Sequence, residues 1–495
     1  RGLGEGARVA IMLPNCLQYP IAAFCVLRAG LVVVNVNPMY TSRELSHQLR
    51  DSGAELIIVL ENFATVVEQA LVTVGHSIRE VVVTGIGDML GLKGMAMNFL
   101  LRHGPKRILP WHLPSFVQFR ELLVRGRRLP LHVVRPPNPD DVAFLQYTGG
   151  TTGVAKGATL LHRNILANLE QASAWIKPFL DQAEQQVIIT ALPLYHVLSL
   201  TANCLLMMKV GGCNLLITNP RDISSFVNVL RKRRFTLITG VNTLYNALLN
   251  DSNFAKVDFS HLRVSLGGGM PVQKAVADRW KKITGCTLVE AYGLSETSPA
   301  ITINPLDLKE FNGAIGLPVP STDVAIRSDD GSELPVGMPG ELWVRGPQVM
   351  RGYWNMPEET AKVMDHDGYF ATGDIAVIDE MGFLRIVDRK KDMISVSGLK
   401  VFPNEVEQVV SQLEGVRECV AIGVPDPHSG EVVKLLIVKT KEDLVEEDIR
   451  RHCRLNLAAY KCPKIIEFRE DLPKSNVGKI LRRALREEGI PHPQA

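Results

Sequence analysis

Short unbroken runs of Val, Ile and Leu alternate with longer amphipathic segments from the first residues onward. This rhythm constrains the fold more than any other feature of the chain. RVAIML, LVVVNV and AELIIVL read as strands, and NCLQYPIAAFCVLRAG and TSRELSHQLRDSG between them read as helices. A strand that is apolar at nearly every position is buried on both faces, which calls for a parallel sheet with helices above and below. Thr41 and Glu44 fit a capping box at the start of the second helix. The rhythm returns in QVIIT, CNLLIT, FTLIT and CTLVEAYG, with helical segments DISSFVNVLRKRR and PVQKAVADRWKKITG among them.

From about Gly313 the texture changes. Turn signals (DDGS, PVGMPG, DEMG) separate short alternating segments such as TDVAIRS and ELWVRG, which predicts antiparallel strands. The charged cluster Asp388-Arg389-Lys390-Lys391-Asp392 precedes a tail that reads helix, strand, strand, helix, strand. The expected architecture is α/β: a large domain over 1–387 of parallel-type sheets covered by helices plus a β-rich subdomain, then a small α+β domain over 388–495. A chain of 495 residues is long enough for this plan. It begins at Arg1 inside a folded pattern, so a preceding N-terminal piece is expected. The eight cysteines are scattered with no C-x-x-C pair, which argues against a zinc site or a disulfide framework and predicts reduced, buried thiols in a cytoplasmic protein. No apolar run reaches the ~18 residues of a membrane-spanning helix, and no signal peptide is visible.

The strongest local signal is YTGGTTGVAKG, Tyr147 to Gly157, directly after the apolar strand VAFLQ. Thr148, Gly149, Gly150, Thr151, Thr152 and Gly153 form a hydroxyl-rich run whose backbone N–H groups and side chains can donate to phosphate oxygens, with Lys156 as a nearby point charge. It is not a Walker A loop, because Lys156 follows Ala155 and precedes Gly157. Four further segments add chemistry: PLYHV with His196, LGGGMP with bare backbone for a flat ring, EAYGLSET with Glu296, and YFATGD with Asp374. A carboxylate such as Glu296 suits a hard cation. Each segment alone is ordinary structure; their order is what carries information.

That order resembles the adenylate-forming enzymes, a group that includes acyl-CoA synthetases, adenylation domains of peptide synthetases and luciferases. More closely, the chain is similar to the bacterial long-chain fatty-acid–CoA ligases. LQYTGGTTGVAKGA, ALPLYHV, LLITNPRDI, ITGVNTLYNALLN, GGGMPVQ, RIVDRKKDMI and PKSNVGKILRR carry the likeness nearly end to end. The resemblance implies the following roles. Thr148 to Gly153 with Lys156 would wrap the phosphates of ATP; Gly268, Gly269 and Tyr292 would hold its adenine; Asp374 and Arg389 would hold its ribose. Glu296 with Thr148 would hold Mg²⁺. Lys479 would enter the site during adenylation, with His196 and Glu296 as further catalytic candidates. Lys391 would be the hinge, within 388–392, of a mobile C-terminal domain that turns before coenzyme A reacts. Val197, Thr201, Gly240, Val241 and Gly267 would line an apolar tunnel for the acyl chain.

The same likeness shows departures. Phe370-Ala371 stands where the close relatives tend to carry Leu-His, and GLKVFP replaces a more usual aromatic-Asn-Val-Tyr run on the side expected to face CoA. Three alternatives stay open: a ligase for a medium-chain or aryl acid, an acyl-AMP ligase that loads a carrier protein, and a non-catalytic nucleotide-binding protein. Oligomeric state is open, a homodimer included. Between Met89 and Pro139 nine Lys/Arg face one acid, Glu121, around the apolar run MAMNFLLRHGPKRILPWHLPSF. That stretch reads either as a membrane-surface contact, which would make the chain peripheral on a membrane, or as a loop-rich surface insert of solvated charges. Nucleic-acid binding is not expected, since no aromatic-basic recognition pattern accompanies the charges.

Overall fold

The computed structural model describes residues 2–104, 108–130, 136–148, 155–180, 184–475 and 478–488. In the first sheet β1 (Arg8–Met12), β2 (Val32–Asn35), β3 (Leu56–Leu60), β4 (Glu80–Thr84), β5 (Val117–Gln118) and β6 (Val142–Thr148) run parallel. β7 (Lys156–Leu161) returns antiparallel on β6. The helices α1 (Gln18–Arg28), α2 (Ser42–Ser52), α3 (Ala64–Val74), α4 (Gly91–His103) and α5 (Phe119–Gly126) connect these strands. Successive strand residues point to opposite faces, and both faces are covered. Val9, Ile11, Val33 and Phe144 join one core with α1, whereas Ala10, Met12, Val34 and Leu145 join another with α2 and α3. This is why the strands read as unbroken apolar runs. The capping box at α2 is present: Glu44 N donates to Thr41 Oγ1 (3.3 Å) and Thr41 N donates to Glu44 Oε2 (2.8 Å).

The second sheet contains β8 (Val187–Thr190), β9 (Cys213–Leu216), β10 (Leu237–Gly240), β11 (Val264–Gly268), β12 (Leu288–Gly293), β13 (Ala300–Ile303) and β14 (Leu317–Pro318), ordered β14-β13-β12-β11-β10-β8-β9. The two sheets are tied by Asn15, just past β1. Its amide donates to the carbonyls of Thr190 (3.0 Å) and Leu192 (2.9 Å), and its Oδ1 accepts from Leu194 N (2.8 Å). Carboxyl ends of strands from both sheets therefore meet along one seam, where open α/β folds place ligands.

β15 (Asp323–Arg327) and β16 (Gly340–Arg345) begin a third, antiparallel sheet, and β17 (Gly352–Tyr353) leaves it to pair with β7. β18 (Phe370–Ile378) and β19 (Leu384–Arg389) complete it. The fourth sheet holds β20 (Ile394–Val396), β21 (Leu399–Val401), β22 (Val416–Asp426), β23 (Gly430–Lys439) and β24 (Ile465–Phe468), packed by helices Pro403–Val410 and Glu446–Asn456.

Several expectations need amendment. The sheets are not wholly parallel: β6–β7–β17 and β12–β13–β14 pair antiparallel at one edge of each. The basic stretch is not a loop-rich insert, since it builds α4, β5 and α5. The cysteines are free, but Cys25 and Cys213 are exposed while Cys16, Cys204, Cys419 and Cys453 are buried. Cys25 lies off the buried face of α1, and Cys213 opens the edge strand β9.

Candidate active site

β11 ends in glycines because its neighbours leave no room for a side chain. A Cβ on Gly267 would meet Val272 Cγ2 at 2.5 Å, and one on Gly268 would meet Ala291 O at 3.3 Å. Gly240 at the end of β10 is closed similarly, with the Tyr245 ring 3.0 Å from its Cβ position. Gly269 has φ +78°, a conformation that favours glycine, and its Cβ position lies 3.5 Å from Lys479 Cε and 3.8 Å from Val241 Cγ1. Gly240 and Gly267 thus serve close packing first. Val197 and Thr201 are buried on the same side, and Thr201 Oγ1 donates to Ser298 O at 3.0 Å where the helix loosens into a π-turn over Leu200–Leu205.

A carboxylate centre faces this glycine run. Asp374, buried on β18, accepts from Tyr292 Oη at 2.6 Å and pairs with Arg389 Nε at 3.2 Å, its register partner on β19. Glu296, in the single turn Ser295–Thr297, accepts from Tyr353 Oη at 2.9 Å. Burial raises the Glu296 carboxyl above its ordinary value and the Asp374 charge adds to this; the Tyr353 hydrogen bond and Arg389 oppose it. Lys156, the first residue of β7, sits 5.1 Å from the centre of the Tyr353 ring and forms an ion pair with Glu359. Thr148, the last of β6, brings its hydroxyl within 3.5 Å of the Lys156 carbonyl. Gly149, Gly150, Thr151, Thr152 and Gly153 lie outside the described residues.

Lys479 arrives from far along the chain. Its N–H donates to Ser475 Oγ (3.1 Å), Ser475 N donates to Lys479 O (2.7 Å), and Thr243 Oγ1 donates to Gly478 O (3.0 Å). This turn lays the lysine against Gly269. Burial, with Arg389 beside it, lowers its pKa to about 8 against the opposite pull of Asp374 and Glu296. His196 caps the short helix Val197–Ser199; burial and the neighbouring Lys479 hold its pKa at about 3, so it is neutral at physiological pH. Lys391 follows β19 and is exposed.

Sequence reading alone did not find three participants. Tyr353 reaches Glu296 only because β17 crosses to the first sheet, a pairing with no local signature. Thr372 Oγ1 accepts from Asp374 N at 3.2 Å. Glu290, buried, accepts from Val272 N at 2.9 Å; burial lifts its pKa to about 8 and leaves it protonated at neutral pH. A lone acid inside the apolar strand LVEAYG was the available signal.

The donor set fits a cation only in part. Glu296 and Thr148 offer hard oxygens, but among the described residues no group of three or more His, Cys, Asp or Glu could hold a metal ion. A Mg²⁺ ion here would take its remaining oxygens from nucleotide phosphates, as that ion commonly does.

The family model of AMP-binding enzymes matches residues 1–354, and that of the AMP-binding enzyme C-terminal domain matches 405–479. A long-chain-fatty-acid–CoA ligase of Yersinia pestis is 57% identical, over 99% of this chain and 86% of the relative. One from Escherichia coli O6:H1 is 55% identical, over 98% of this chain and 86% of the relative. Among solved structures, an anthranilate CoA ligase in complex with anthranoyl-AMP aligns with a TM-score of 0.85 at 25% identity, covering 98% of this chain and 88% of that one. With a site built at the meeting of its sheets and both family models matched, the chain belongs to the AMP-binding, adenylate-forming enzymes.

Proposed function

We propose that this chain is a long-chain-fatty-acid–CoA ligase that makes acyl-AMP and pyrophosphate from ATP and a fatty acid, then acyl-CoA and AMP. The observation that carries the reading is the convergence of Lys479, brought in by its turn on Thr243, with Gly269, Asp374 and Glu296. The acyl specificity rests on the likeness to the ligases of Yersinia and Escherichia.

In the first step a carboxylate oxygen attacks the α-phosphorus and pyrophosphate leaves. Charge grows on the phosphoryl oxygens, and Lys479, a cation already fixed in place, stabilises it without reorganising. Gly268, Gly269 and Tyr292 would take the adenine, since bare backbone beside an aromatic ring admits a flat base. Asp374 and Arg389 would bind the ribose hydroxyls, one accepting and one donating. Thr148, the run Gly149–Gly153 and Lys156 would hold phosphates. Mg²⁺, held by Glu296 and Thr148, would neutralise phosphate charge when bound. In the second step the CoA thiol attacks the acyl carbon and AMP leaves. The boundary at 388–392, with Lys391 as pivot, would let the 388–495 domain withdraw Lys479 and admit the thiol. Val197, Thr201, Gly240, Val241 and Gly267 would border the acyl chain, each buried CH₂ contributing about 0.8 kcal/mol.

The test is turnover with ATP, Mg²⁺ and acids of graded length, with and without CoA. Acyl-CoA formation that peaks at long chains is expected. Pyrophosphate release without acyl-CoA would move the assignment to a carrier-protein acceptor, and a peak at aryl or medium-chain acids would replace the substrate class. Among the described residues, no helix is long and apolar enough to cross a membrane.

A further inference from the structure

The run Gly269–Gln273 that leaves β11 is neither strand nor helix, so it holds its place by side chains from elsewhere. Two backbone donors are pinned. Val272 N donates to Glu290 Oε1 (2.9 Å), and Gln273 N donates to Asn242 Oδ1 (3.0 Å). Both acceptors are buried, at 6 and 5% exposure. Glu290 stands beside Gly267 in the register of β11 and β12, and Val272 Cγ2 lies 2.5 Å from where a Cβ of Gly267 would be. The pins therefore fold the chain back over the strand end it has just left. Gly269 lies between, at φ +78°, with its Cβ position 3.5 Å from Lys479 Cε. Tyr292, two residues beyond Glu290 on β12, belongs to the same face of the strand. A shift of Val272 N would thus carry Gly269 away from both Lys479 and the ring of Tyr292.

Asn242 and Glu290 supply the same acceptor with different chemistry, because the amide cannot ionise and the carboxyl can. Burial lifts the Glu290 carboxyl to about 8, and the Val272 hydrogen bond and Arg385 oppose it. Arg385, on β19, is the charged neighbour that bears on it, and its guanidinium already donates to Asn312 O. β11, β13 and the run Gly269–Gln273 carry no titratable side chain. We infer that Glu290 is a positioning residue for the nucleotide: through Val272 N it holds the Gly268–Val272 run at the place where adenine lies against it. This rests on the adenine reading of that run. The neutral acid keeps the hold, whereas a buried charge draws the carboxylate towards water and Arg385 and loosens it. Adenine affinity then falls as Glu290 ionises, and bound adenine in turn favours the protonated acid. The effect lies on affinity and fades at saturating nucleotide.

The experiment is calorimetric titration with adenosine, which carries no phosphate and so does not read the charge of Lys479. For the parent, Kd should rise about tenfold between about pH 7 and about pH 9. Glu290→Ala, which leaves Val272 N without an acceptor, should weaken binding about tenfold already at the lower pH. Glu290→Gln still accepts from Val272 N but cannot ionise. It should restore most of that loss and bind with an affinity that no longer changes with pH, a result that a merely structural role would not give. A parent that binds no adenosine overturns the adenine reading of the site and the inference with it. A parent that binds adenosine, with a pH profile that Glu290→Gln leaves unchanged, overturns the inference alone.

Discussion

Lys479 has a pKa near 8 where a free lysine sits near 10.4. The protonated, charged form therefore prevails below pH 8 and is lost above it. If that charge supports the first step as proposed, ATP–pyrophosphate exchange declines as pH rises through about 8. Lys479→Arg, which stays charged, should shift the decline to higher pH. Lys479→Ala should lower exchange about 10² to 10³-fold, while thioester formation from supplied acyl-AMP changes little. Tyr353→Phe tests the neighbouring carboxylate. Losing the hydrogen bond to Glu296 should raise the Mg²⁺ concentration for half-maximal turnover about tenfold, the scale of such outer-shell partners. Glu296 and Asp374 were singled out in sequence only because the order of their segments resembles a known family; each segment alone reads as ordinary structure. Tyr353 was not, because its place depends on a strand joining a sheet far from its chain neighbours.

At the scale of elements, the strand–helix rhythm predicted β1 to β3 with α1 and α2 nearly residue for residue, since burial on both sheet faces forces a continuous apolar composition. β11 escaped notice because its sequence, VSLGG, trades apolar bulk for close approach at the site. α4 was not read as a helix, because its stretch showed only apolar and cationic residues together. The helix Arg482–Glu488 also went unread, yet Arg482 joins three segments. It donates to Glu407 (2.8 Å) and Asn404 (2.8 Å) and lies 3.7 Å from Asp392. Asp388 beside it accepts from Asn404 N, and burial lifts its pKa to about 6. Arg482→Ala would leave this carboxylate cluster without its central cation and should cost about 3–5 kcal/mol. Urea unfolding measures the loss, and Arg482→Lys should recover part of it.

Across the whole molecule, residues from the first three sheets converge on one seam, and the segment that follows the fourth adds Lys479 through a single turn. Gly478 has φ +81°, and a Cβ there would fall 2.7 Å from Thr243 Oγ1. Gly478→Ala should therefore disfavour this arrangement, slowing adenylation about tenfold in a rapid-quench assay. Thioester formation from supplied acyl-AMP should be affected less than twofold if the 388–495 domain turns away for that step. Equal loss in both steps would count against the turning. The position of that turn along the chain has one more consequence. Every other described residue of the site, from Thr148 to Arg389, is synthesised before Lys479, so a growing polypeptide acquires the proposed nucleotide cradle before the proposed reacting cation. On this reading, translation itself delays the first chemistry: a ribosome-bound or prematurely terminated product could hold ATP but would not spend it.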